Sequence, residues 1–543
     1  MVKHVSIAAQ LNEAVALHRG GAIGPAAQIY QSIIDRDPSN ADAYQLLGVI
    51  ARQMGQNALA LRLLTTALEL NPRHAAALTN HAILLREAGD LPHAKLQAAA
   101  ALRADPSYPE AHIAMGGVLQ AERAWAEALE HFRTAERQQP DNPALLNDLA
   151  AVERRLGNFP AAYAAIARGL SLAPEMAELH NTRGNILRAA GYPDAACAAF
   201  AAAQAHNSTL TDAVVNEALA RLLVGDCARG WELFARRGKP DPRVDHLPVW
   251  DGQSDPHCDL LLQAEQGLGD VLQFARLAPW AATRVRRVVL EVAAPLRALM
   301  VQSFPALTVI TPEDALPSGL TRRCRLLDLA GFVPLCDDHI PGATPYLRAP
   351  ETPLPDFLAE RVAPRVGLVW AGNPGHLNDA NRSLRLAQLA DICGPVAAHL
   401  VSLQKGPQAK EMAASGLNFA DAAPLLHDFA STAALLRHID LVITVDTSVA
   451  HLAGALGRPV WIMLPFDPDW RWQLERRDVP WYPTAKLYRQ SAPGAWAEVI
   501  AAVGRDLARY IGGDHTVLTP PAWTGPLPQR QTRGAVSLPG FTE

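Results

Sequence analysis

Small and apolar residues recur at a fixed spacing along residues 1–237 of the chain. Prolines repeat at a constant interval, at Pro38, Pro72, Pro106, Pro140 and Pro174. An alanine stands at a constant distance before each proline, and in most units a larger apolar residue follows that alanine by four, as with Ala26 and Tyr30. This pattern predicts repeated pairs of helices, because a small residue lets two helices approach closely and a bulky one fills the space beside it.

Glycines mark the predicted turns between the helices of a pair. They stand at Gly21, Gly55, Gly89, Gly157, Gly191 and Gly225. The period of 34, these turns, and the pairs Leu47-Gly48 and Met115-Gly116 resemble the tetratricopeptide repeat. We predict six repeats and a seventh, degraded unit at about residues 211–237, so that residues 1–237 form an α-superhelix.

Superhelices of this kind usually hold a peptide in a concave groove, so a protein or peptide is the expected partner. Polar side chains lie at or beside groove-facing positions of the repeat at Asn80, Asp148, Asn181 and Asn216. Amide groups can hydrogen-bond a peptide backbone irrespective of its sequence. The alternative is that these side chains are only solvated on exposed helices.

The sequence changes character after Arg237. Residues 238–258 are rich in proline, aspartate and glycine, which predicts a linker. Short apolar runs that alternate with helical segments then predict two α/β lobes, at residues 259–350 and 360–512. Residues 513–543 contain several prolines and predict a disordered tail.

Composition narrows the class of function. Hydrophobic residues make up 49% and charged residues 19% of the 543 residues, as in a soluble globular protein. The net charge of −5 argues against binding to nucleic acid or to an acidic membrane. The 6 cysteines form no C-x-x-C pair, which argues against a disulfide framework or zinc site and fits the cytoplasm. No secretory signal or transmembrane segment is predicted.

Residues 440–464 predict a buried strand, a tight turn, a short helix and a second strand. Asp446, Thr447 and Ser448 are N-cap residue types and stand between the first strand and the helix. A helix that begins there presents free N–H groups and a positive dipole end, which suit a phosphate. The alternative is an ordinary βαβ unit in which Asp446 only caps the helix.

The same residues resemble the donor-binding motif of the heptosyltransferases, D-T-G-x-x-H followed by A-L-G-x-P. Asp446, Thr447, Ser448 and His451 match the first part, with Ser448 where the family usually has glycine, and residues 455–459 match the second. The resemblance implies a GT-B fold of two Rossmann-like lobes, with these four residues on the nucleotide-sugar side. The Ser448 hydroxyl can donate to a phosphate but restricts the backbone, which leaves room for a different donor.

A second match lies at the start of the first lobe, in Gly267-Leu268-Gly269-Asp270. It resembles the G-x-G-D turn of heptosyltransferases, in which the aspartate is the proposed general base. The resemblance therefore implies Asp270 as the base, and Gly267 and Gly269 as positions where the backbone approaches a ligand. The turn is not a dinucleotide fingerprint, because Leu272 stands at the third glycine. The alternative is that Asp270 only caps its helix.

Further strand ends supply candidate donor contacts. Arg382 fits the place of the family's phosphate-binding lysine, and arginine would offer a bidentate fork there. Gln404 and Lys405 fit the contact to the donor base or ribose. All these loops follow the carboxyl ends of predicted parallel strands, where open α/β sheets bind ligands.

Residues 465–490 add a group of tryptophans and arginines. Trp470, Trp472 and Trp481 could stack on a sugar or base or pack in the core, and Arg471 could reach a phosphate. Asp467-Pro468-Asp469 matches the metal-binding D-x-D motif, but it lies outside the fold in which that motif acts, so no metal is expected.

These features predict a fold of class α + α/β, a tetratricopeptide superhelix followed by a GT-B glycosyltransferase. The layout is similar to bacterial repeat-bearing flagellin and protein O-glycosyltransferases. The resemblance implies inverting transfer from a nucleotide-sugar co-substrate, with no other cofactor, to a Ser or Thr hydroxyl. Two alternatives stay open: a non-enzymatic adaptor with a degenerate GT-B module, and a transferase that acts on a lipid-linked saccharide.

Overall fold

The chain folds as two compact units. A computed structural model describes residues 6–238, 241–333, 340, 342–359, 363–417, 419–522 and 535–542. The first unit runs to Ile186 and includes Ser537–Thr542, and the second unit comprises Leu187–Val536.

Seven helix pairs follow one another along residues 6–238. They are α1 (Ile7–Arg19) with α2 (Ile23–Arg36), α3 (Ala41–Gln53) with α4 (Asn57–Leu70), α5 (Ala75–Glu87) with α6 (Leu91–Ala104), α7 (Pro109–Ala121) with α8 (Trp125–Glu136), α9 (Pro143–Arg155) with α10 (Phe159–Leu172), α11 (Ala177–Ala189) with α12 (Pro193–His206), and α13 (Thr211–Leu223) with α14 (Cys227–Phe234). The last pair lies in the stretch predicted to be the degraded repeat.

Close packing explains the small residues of the repeat. The recurrent alanines Ala26, Ala60, Ala94, Ala128 and Ala162 are all 0% exposed. A Cβ on Gly116 would lie 2.6 Å from a ring carbon of Phe132, so only glycine leaves room for that ring between α7 and α8.

The turn glycines adopt left-handed backbone conformations. Gly89 and Gly157, for example, have φ angles of 83° and 80°. Arg123 takes the same place in the fourth pair with a φ of 62°, which accounts for the gap in the glycine series. This conformation costs a non-glycine residue more than it costs glycine.

The first α/β lobe, in the second unit, has a four-stranded parallel sheet in the order β3–β2–β1–β4. Its strands are β1 (Asp255–Gln263), β2 (Val285–Glu291), β3 (Thr308–Ile310) and β4 (Arg322–Arg325). Its helices are α15 (Leu268–Phe274), α16 (Ala278–Ala282), α17 (Ala294–Ser303) and α18 (Leu329–Phe332). Leu260, Leu261 and Leu262 on β1 are 0% exposed, as expected of a strand covered on both faces.

The second lobe has a six-stranded parallel sheet in the order β10–β9–β8–β5–β6–β7. Its strands are β5 (Val366–Val369), β6 (Leu400–Ser402), β7 (Ala420–Asp421), β8 (Leu441–Val445), β9 (Val460–Leu464) and β10 (Ala485–Arg489). The short helix α19 (Asp356–Ala359) precedes the first strand of this lobe. The helices of the lobe are α20 (Asp379–Arg382), α21 (Ala390–Cys393), α22 (Lys410–Ser415), α23 (Phe429–Leu436), α24 (Ser448–Ala455) and α25 (Trp496–Ile511).

Helices α13 and α14 share the core of the α/β lobes. Val214, Leu222 and Trp231 belong to the same buried cluster as residues of β1 and β8. The compact second unit therefore contains the last helix pair as well as both sheets.

The linker and tail differ in part from expectation. Within the predicted linker, Trp250 is 2% exposed and its backbone N–H donates to Arg323 O, because an apolar ring in that proline-rich stretch packs on the sheet. In the predicted tail, His515–Leu518 forms a 3-10 helix and Val536 N–H donates to Ala190 O at 2.8 Å. Residues 523–534 of the tail lie outside the described residues.

The end of the tail, Ser537–Thr542, packs in the first unit. Leu538 is 5% exposed, and the ring centroid of Phe541 lies 5.8 Å from that of Tyr163. No helix among the described residues combines the length and the apolar character needed to cross a bilayer.

Candidate active site

The two motifs predicted from separate stretches meet between the lobes. The turn Gly267-Leu268-Gly269-Asp270 follows β1 and opens α15, and Ser448 opens α24 after β8. A Cβ on Gly269 would lie 2.8 Å from His451 Cδ2 and 3.6 Å from Ser448 Cα. A side chain at residue 269 would therefore force α15 and α24 apart.

His451 is fixed in this contact. It is 3% exposed, its Nδ1 lies 3.0 Å from Tyr482 Oη, and its ring stacks on Trp472 with centroids 5.3 Å apart. Burial, followed by the charges of Arg471 and Arg382, holds the pKa of His451 well below its ordinary value. His451 is therefore neutral at physiological pH.

Asp446 directly follows β8 and is 8% exposed. Burial, and after it the charge of the nearby Asp469, raises the pKa of this carboxyl to a net value of about 6. Arg471 and Arg382 act in the opposite direction. The Trp472 indole N–H also lowers the pKa of Asp446, although its geometry falls short of a full hydrogen bond.

The start of α24 carries no side-chain cap. Thr447 holds the N-cap position in an extended conformation, and its hydroxyl lies 3.0 Å from Thr444 Oγ1 rather than bonding the helix. Side chains therefore leave the first N–H groups of the helix open to an anion, as the sequence pattern predicted for this turn.

Arg382 lies at the end of α20, in the loop region after β5. Its side chain is 14% exposed, and its Nε lies 3.5 Å from Asp379 Oδ1. Nε is buried without a hydrogen-bond partner, so this guanidinium retains a donor that a ligand could use. A Cβ on Gly372 would lie 2.9 Å from Arg382 Nη2, which shows how closely the backbone fits around it.

Arg471 joins the two lobes. It forms an ion pair with Asp270 of the first lobe, its Nε donates to Gln273 Oε1 at 2.7 Å, and its Nη1 lies 2.8 Å from Asp469 Oδ1. Its side chain is 8% exposed and lies 5.0 Å from the centroid of the Trp470 ring. The candidate base Asp270 is thus paired with an arginine in this structure.

Gln404 and Lys405 support the loop after β5 and the chain beyond β7. The Gln404 carbonyl oxygen accepts from the N–H groups of Trp370 and Ala371, both at 3.0 Å, and its amide donates to Ala371 O and Lys405 O. Gln404 is 2% exposed, so its polar atoms serve the protein itself. Lys405 is exposed, and its Nζ donates to Leu426 O.

The four groove residues differ in their surroundings. In the first unit, Asn80 Nδ2 donates to Ala76 O of its own helix at 2.8 Å. Burial raises the pKa of Asp148 to about 6, and Arg86 opposes that shift. Asn181 and, in the second unit, Asn216 are half-buried, and each takes part in a further interaction.

The two aspartates of the D-x-D match form ion pairs with different arginines. Asp467 Oδ2 lies 3.3 Å from Arg188 Nη2, and Asp469 pairs with Arg471. No group of three or more His, Cys, Asp or Glu suited to a metal occurs among the described residues. Trp470 and Trp481 pack in the core with ring centroids 6.1 Å apart.

Sequence reasoning missed two of the residues that brace the site, Tyr482 and Gln273. Trp472 and Tyr482 hold His451, and Gln273 holds Arg471. The sequence just after β9 is rich in tryptophan and arginine. This composition predicts that side chains pack there, but it does not identify the residues that they contact.

A polar cavity of about 430 Å³ lies beyond the carboxyl ends of the strands in the first lobe. Its wall includes Gln263, Glu265 and Gln266, which directly precede Gly267, together with Glu291 at the end of β2. One carboxylate oxygen of Glu265 is buried without a hydrogen-bond partner, and burial raises the pKa of this group. The residues that line the cavity therefore include a carboxylate with one unpaired oxygen.

Comparison with known proteins gives the class of each domain. The family described as "Glycosyltransferase family 9 (heptosyltransferase)" matches residues 404–463, which contain Asp446 and His451. The family described as "Tetratricopeptide repeat" matches residues 46–109 and 79–143. The chain carries tetratricopeptide repeats and a glycosyltransferase family 9 domain, which confirms the predicted combination.

Individual proteins resemble the chain to different extents. It is 24% identical over 514 residues to Protein FlbA of Caulobacter vibrioides, a match that covers 88% of this chain and 86% of FlbA. It is 32% identical over 91 residues to "Probable UDP-N-acetylglucosamine--peptide N-acetylglucosaminyltransferase SPINDLY" of Petunia hybrida, covering 17% of this chain and 10% of that protein. A tetratricopeptide repeat protein of Parabacteroides merdae, of known crystal structure, is 19% identical with a TM-score of 0.34, covering 42% of this chain and 90% of that one.

Proposed function

We propose that the protein transfers a sugar from a nucleotide-sugar donor to a Ser or Thr hydroxyl of a protein that the repeats recruit. One observation carries the proposal: Gly269 of the first lobe fits directly against His451 and Ser448 of the second lobe. Asp270 and the start of α24 therefore border the same site, as a two-substrate transfer requires.

The expected chemistry is a single displacement with inversion and without metal. Asp270 accepts the proton of the acceptor hydroxyl as the oxygen bonds to the anomeric carbon. The bond from that carbon to the donor phosphate oxygen breaks, and the nucleotide leaves with the electron pair. Arg382 and the uncapped N–H groups at Thr447 and Ser448 stabilise the negative charge on the leaving phosphate.

Three observations support a protein as the acceptor. The repeats favour a protein acceptor, since stacked helix pairs present extended surfaces for peptides. SPINDLY is named as a probable transferase that acts on a peptide, and the short similarity to it fits this proposal. The cavity beside Gln266 suits an acceptor side chain that approaches Asp270 from the first lobe.

The proposal also covers the identity of the acceptor, the compartment, the co-substrate and the residues on the donor side. Flagellin is a fitting acceptor given the resemblance to repeat-bearing flagellin glycosyltransferases, and the cytoplasm is the fitting compartment. The nucleotide-sugar is a co-substrate, and no other cofactor is proposed. Asp446, His451 and Lys405 belong to the donor side of the site, and Gln404 positions the loop that borders it.

The first test measures thermal stabilisation by UDP, GDP, ADP, CMP and their common sugars. A ligand that binds the folded protein raises its melting temperature by mass action. We expect one nucleotide to stabilise the wild type but not Arg382→Ala, and to stabilise the control Asp391→Ala, which alters an exposed residue of α21, as it does the wild type.

Transfer to the acceptor protein is then measured with the sugar of that nucleotide. Asp270→Asn should bind the nucleotide and fail to transfer. No stabilisation by any nucleotide would favour the adaptor alternative, and transfer only to a lipid-linked saccharide would refute the protein acceptor.

A further inference from the structure

The Arg471 guanidinium is held in place at all three of its nitrogens. Nε donates to Gln273, Nη1 pairs with Asp469 at 2.8 Å, and Nη2 pairs with Asp270. Trp470 lies against its face, and the side chain is 8% exposed. Such an arginine has a fixed position and has two carboxylates to balance its one charge.

The pairing has a consequence for Asp270. Oδ1 accepts the hydrogen bond from Arg471, and no other hydrogen bond reaches this carboxylate among the described residues. The side chain is 23% exposed, so ligands can approach it. While Arg471 holds Oδ1, only Oδ2 can receive the proton of an acceptor hydroxyl, and release of Arg471 would make both oxygens of the carboxylate available.

Arg471 also acts on the donor side of the site. Its charge lowers the pKa of both Asp446 and His451, and Arg382 has the same effect on both groups. Arg471 pairs with Asp270, and the adjacent Gly269 lies against Ser448 and His451, so the Arg471 guanidinium is close to the turn at the start of α24. Guanidinium groups bind phosphate oxygens through two parallel hydrogen bonds, so a phosphate at that turn would compete with the carboxylates for Arg471.

We infer that Arg471 binds the donor phosphate and that it pairs with Asp270 while no donor is bound. When the donor binds, its phosphate replaces Asp270 as the partner of Arg471. Asp469 keeps Arg471 in the second lobe while Asp270 is released. Donor binding thus makes both carboxylate oxygens of Asp270 available to the acceptor hydroxyl. This inference rests on the proposed function and adds an exchange of partners at Arg471 to it.

The exchange is tested by measuring nucleotide binding to purified protein by titration calorimetry. The probes are UDP, GDP, ADP and CMP, each titrated into the wild type, Asp270→Asn, Arg471→Ala and the double variant. If Asp270 competes with the phosphate for Arg471, its neutralisation should tighten binding, by about tenfold for one charged hydrogen bond. Arg471→Ala should weaken binding, and the double variant should lose the gain.

Two further variants separate this effect from general changes in charge or folding. Asp259→Asn removes a carboxylate that pairs with Arg286 and Arg287 elsewhere in the first lobe and should leave nucleotide binding unchanged. Arg471→Lys keeps the charge without the fork, so its affinity should fall between those of the wild type and Arg471→Ala. A melting curve of each variant confirms that it is folded before titration.

The outcomes separate the inference from the proposed function. If the wild type binds no nucleotide, the proposed function fails and the exchange fails with it. If the wild type binds a nucleotide and Asp270→Asn binds it no more tightly, the exchange is wrong while the proposed function stands. The same conclusion follows if the double variant keeps the tighter binding, since the gain would then not depend on Arg471.

Discussion

Truncation of Trp231 tests whether the last helix pair stabilises the α/β lobes. The ring lies on α14, is 6% exposed, and has its centroid 5.6 Å from that of Phe274 in the first lobe and 5.2 Å from that of Trp470 in the second. Trp231→Ala therefore removes a side chain that contacts both lobes at once.

The expected cost follows from burial and ring contacts. Replacing a buried tryptophan by alanine typically costs about 3–5 kcal/mol, and each edge-to-face pair adds about 0.5–1.5 kcal/mol to what buried area alone gives. Trp231 makes a third such contact, with Phe234 at 5.7 Å. We expect Trp231→Ala to lower the free energy of unfolding of the second unit by about 4 kcal/mol.

Urea unfolding followed by tryptophan fluorescence measures this effect. Of the 11 tryptophans, Trp125 alone lies in the sequence of the first unit, so in a Trp125→Phe background the fluorescence reports on the second unit. The matched control is Phe132→Ala, which truncates an aromatic ring that is 0% exposed in the first unit. Circular dichroism detects unfolding of both units.

The reasoning is refuted if Trp231→Ala moves the fluorescence transition by less than about 1 kcal/mol, well under the range for a buried ring. It is also refuted if Phe132→Ala moves that transition as much as Trp231→Ala does, because the two units would then unfold as one.

Three further changes probe the contact between the lobes, each by the same unfolding measurement. Gly269→Ala should destabilise the second unit by about 1–3 kcal/mol, because its Cβ meets the fixed ring of His451; the gain of up to about 1 kcal/mol expected for alanine in a helix would contradict this. Tyr482→Phe should cost about 1–3 kcal/mol by leaving His451 Nδ1 buried without its partner, and a neutral effect would argue against that bond. Asp446 has a folded-state pKa of about 6, raised by burial, so the folded state favours its protonated form. Relative to Asp446→Asn, the wild type should therefore lose about 3 kcal/mol of stability as the pH rises from about 4 to above 6. A difference in stability that stays constant with pH would show that Asp446 is not buried as described.

The repeats were the part of the fold most accessible from sequence. Their constant period is imposed by identical contacts in every unit, so each repeat supplies independent evidence for the others. The helix pairs follow that period, and even the missing glycine in the fourth pair is explained by Arg123, which takes up the left-handed turn itself. The boundary between the compact units was not predictable, because it depends on long-range packing of side chains such as Trp231.

The positions of candidate site residues in the fold were predictable where they depend on chain neighbours alone. Asp446 and Ser448 stand at a strand end and a helix start, and the structure has them there. Gln404 shows the limit of such reasoning, since a polar residue at the end of a strand can face a ligand or support the next loop. The pairing of Asp270 with Arg471 joins residues 201 positions apart and has no local signature.

The core shared by the last helix pair and the α/β lobes bears on how such proteins vary during evolution. A repeat array can gain or lose whole units where each unit contacts only its neighbours. Helices α13 and α14 do not meet that condition, because deleting them would also take Trp231 away from the lobes. Insertions and deletions of whole repeats are therefore best tolerated before Leu187, and the last helix pair should be inherited together with the transferase domain.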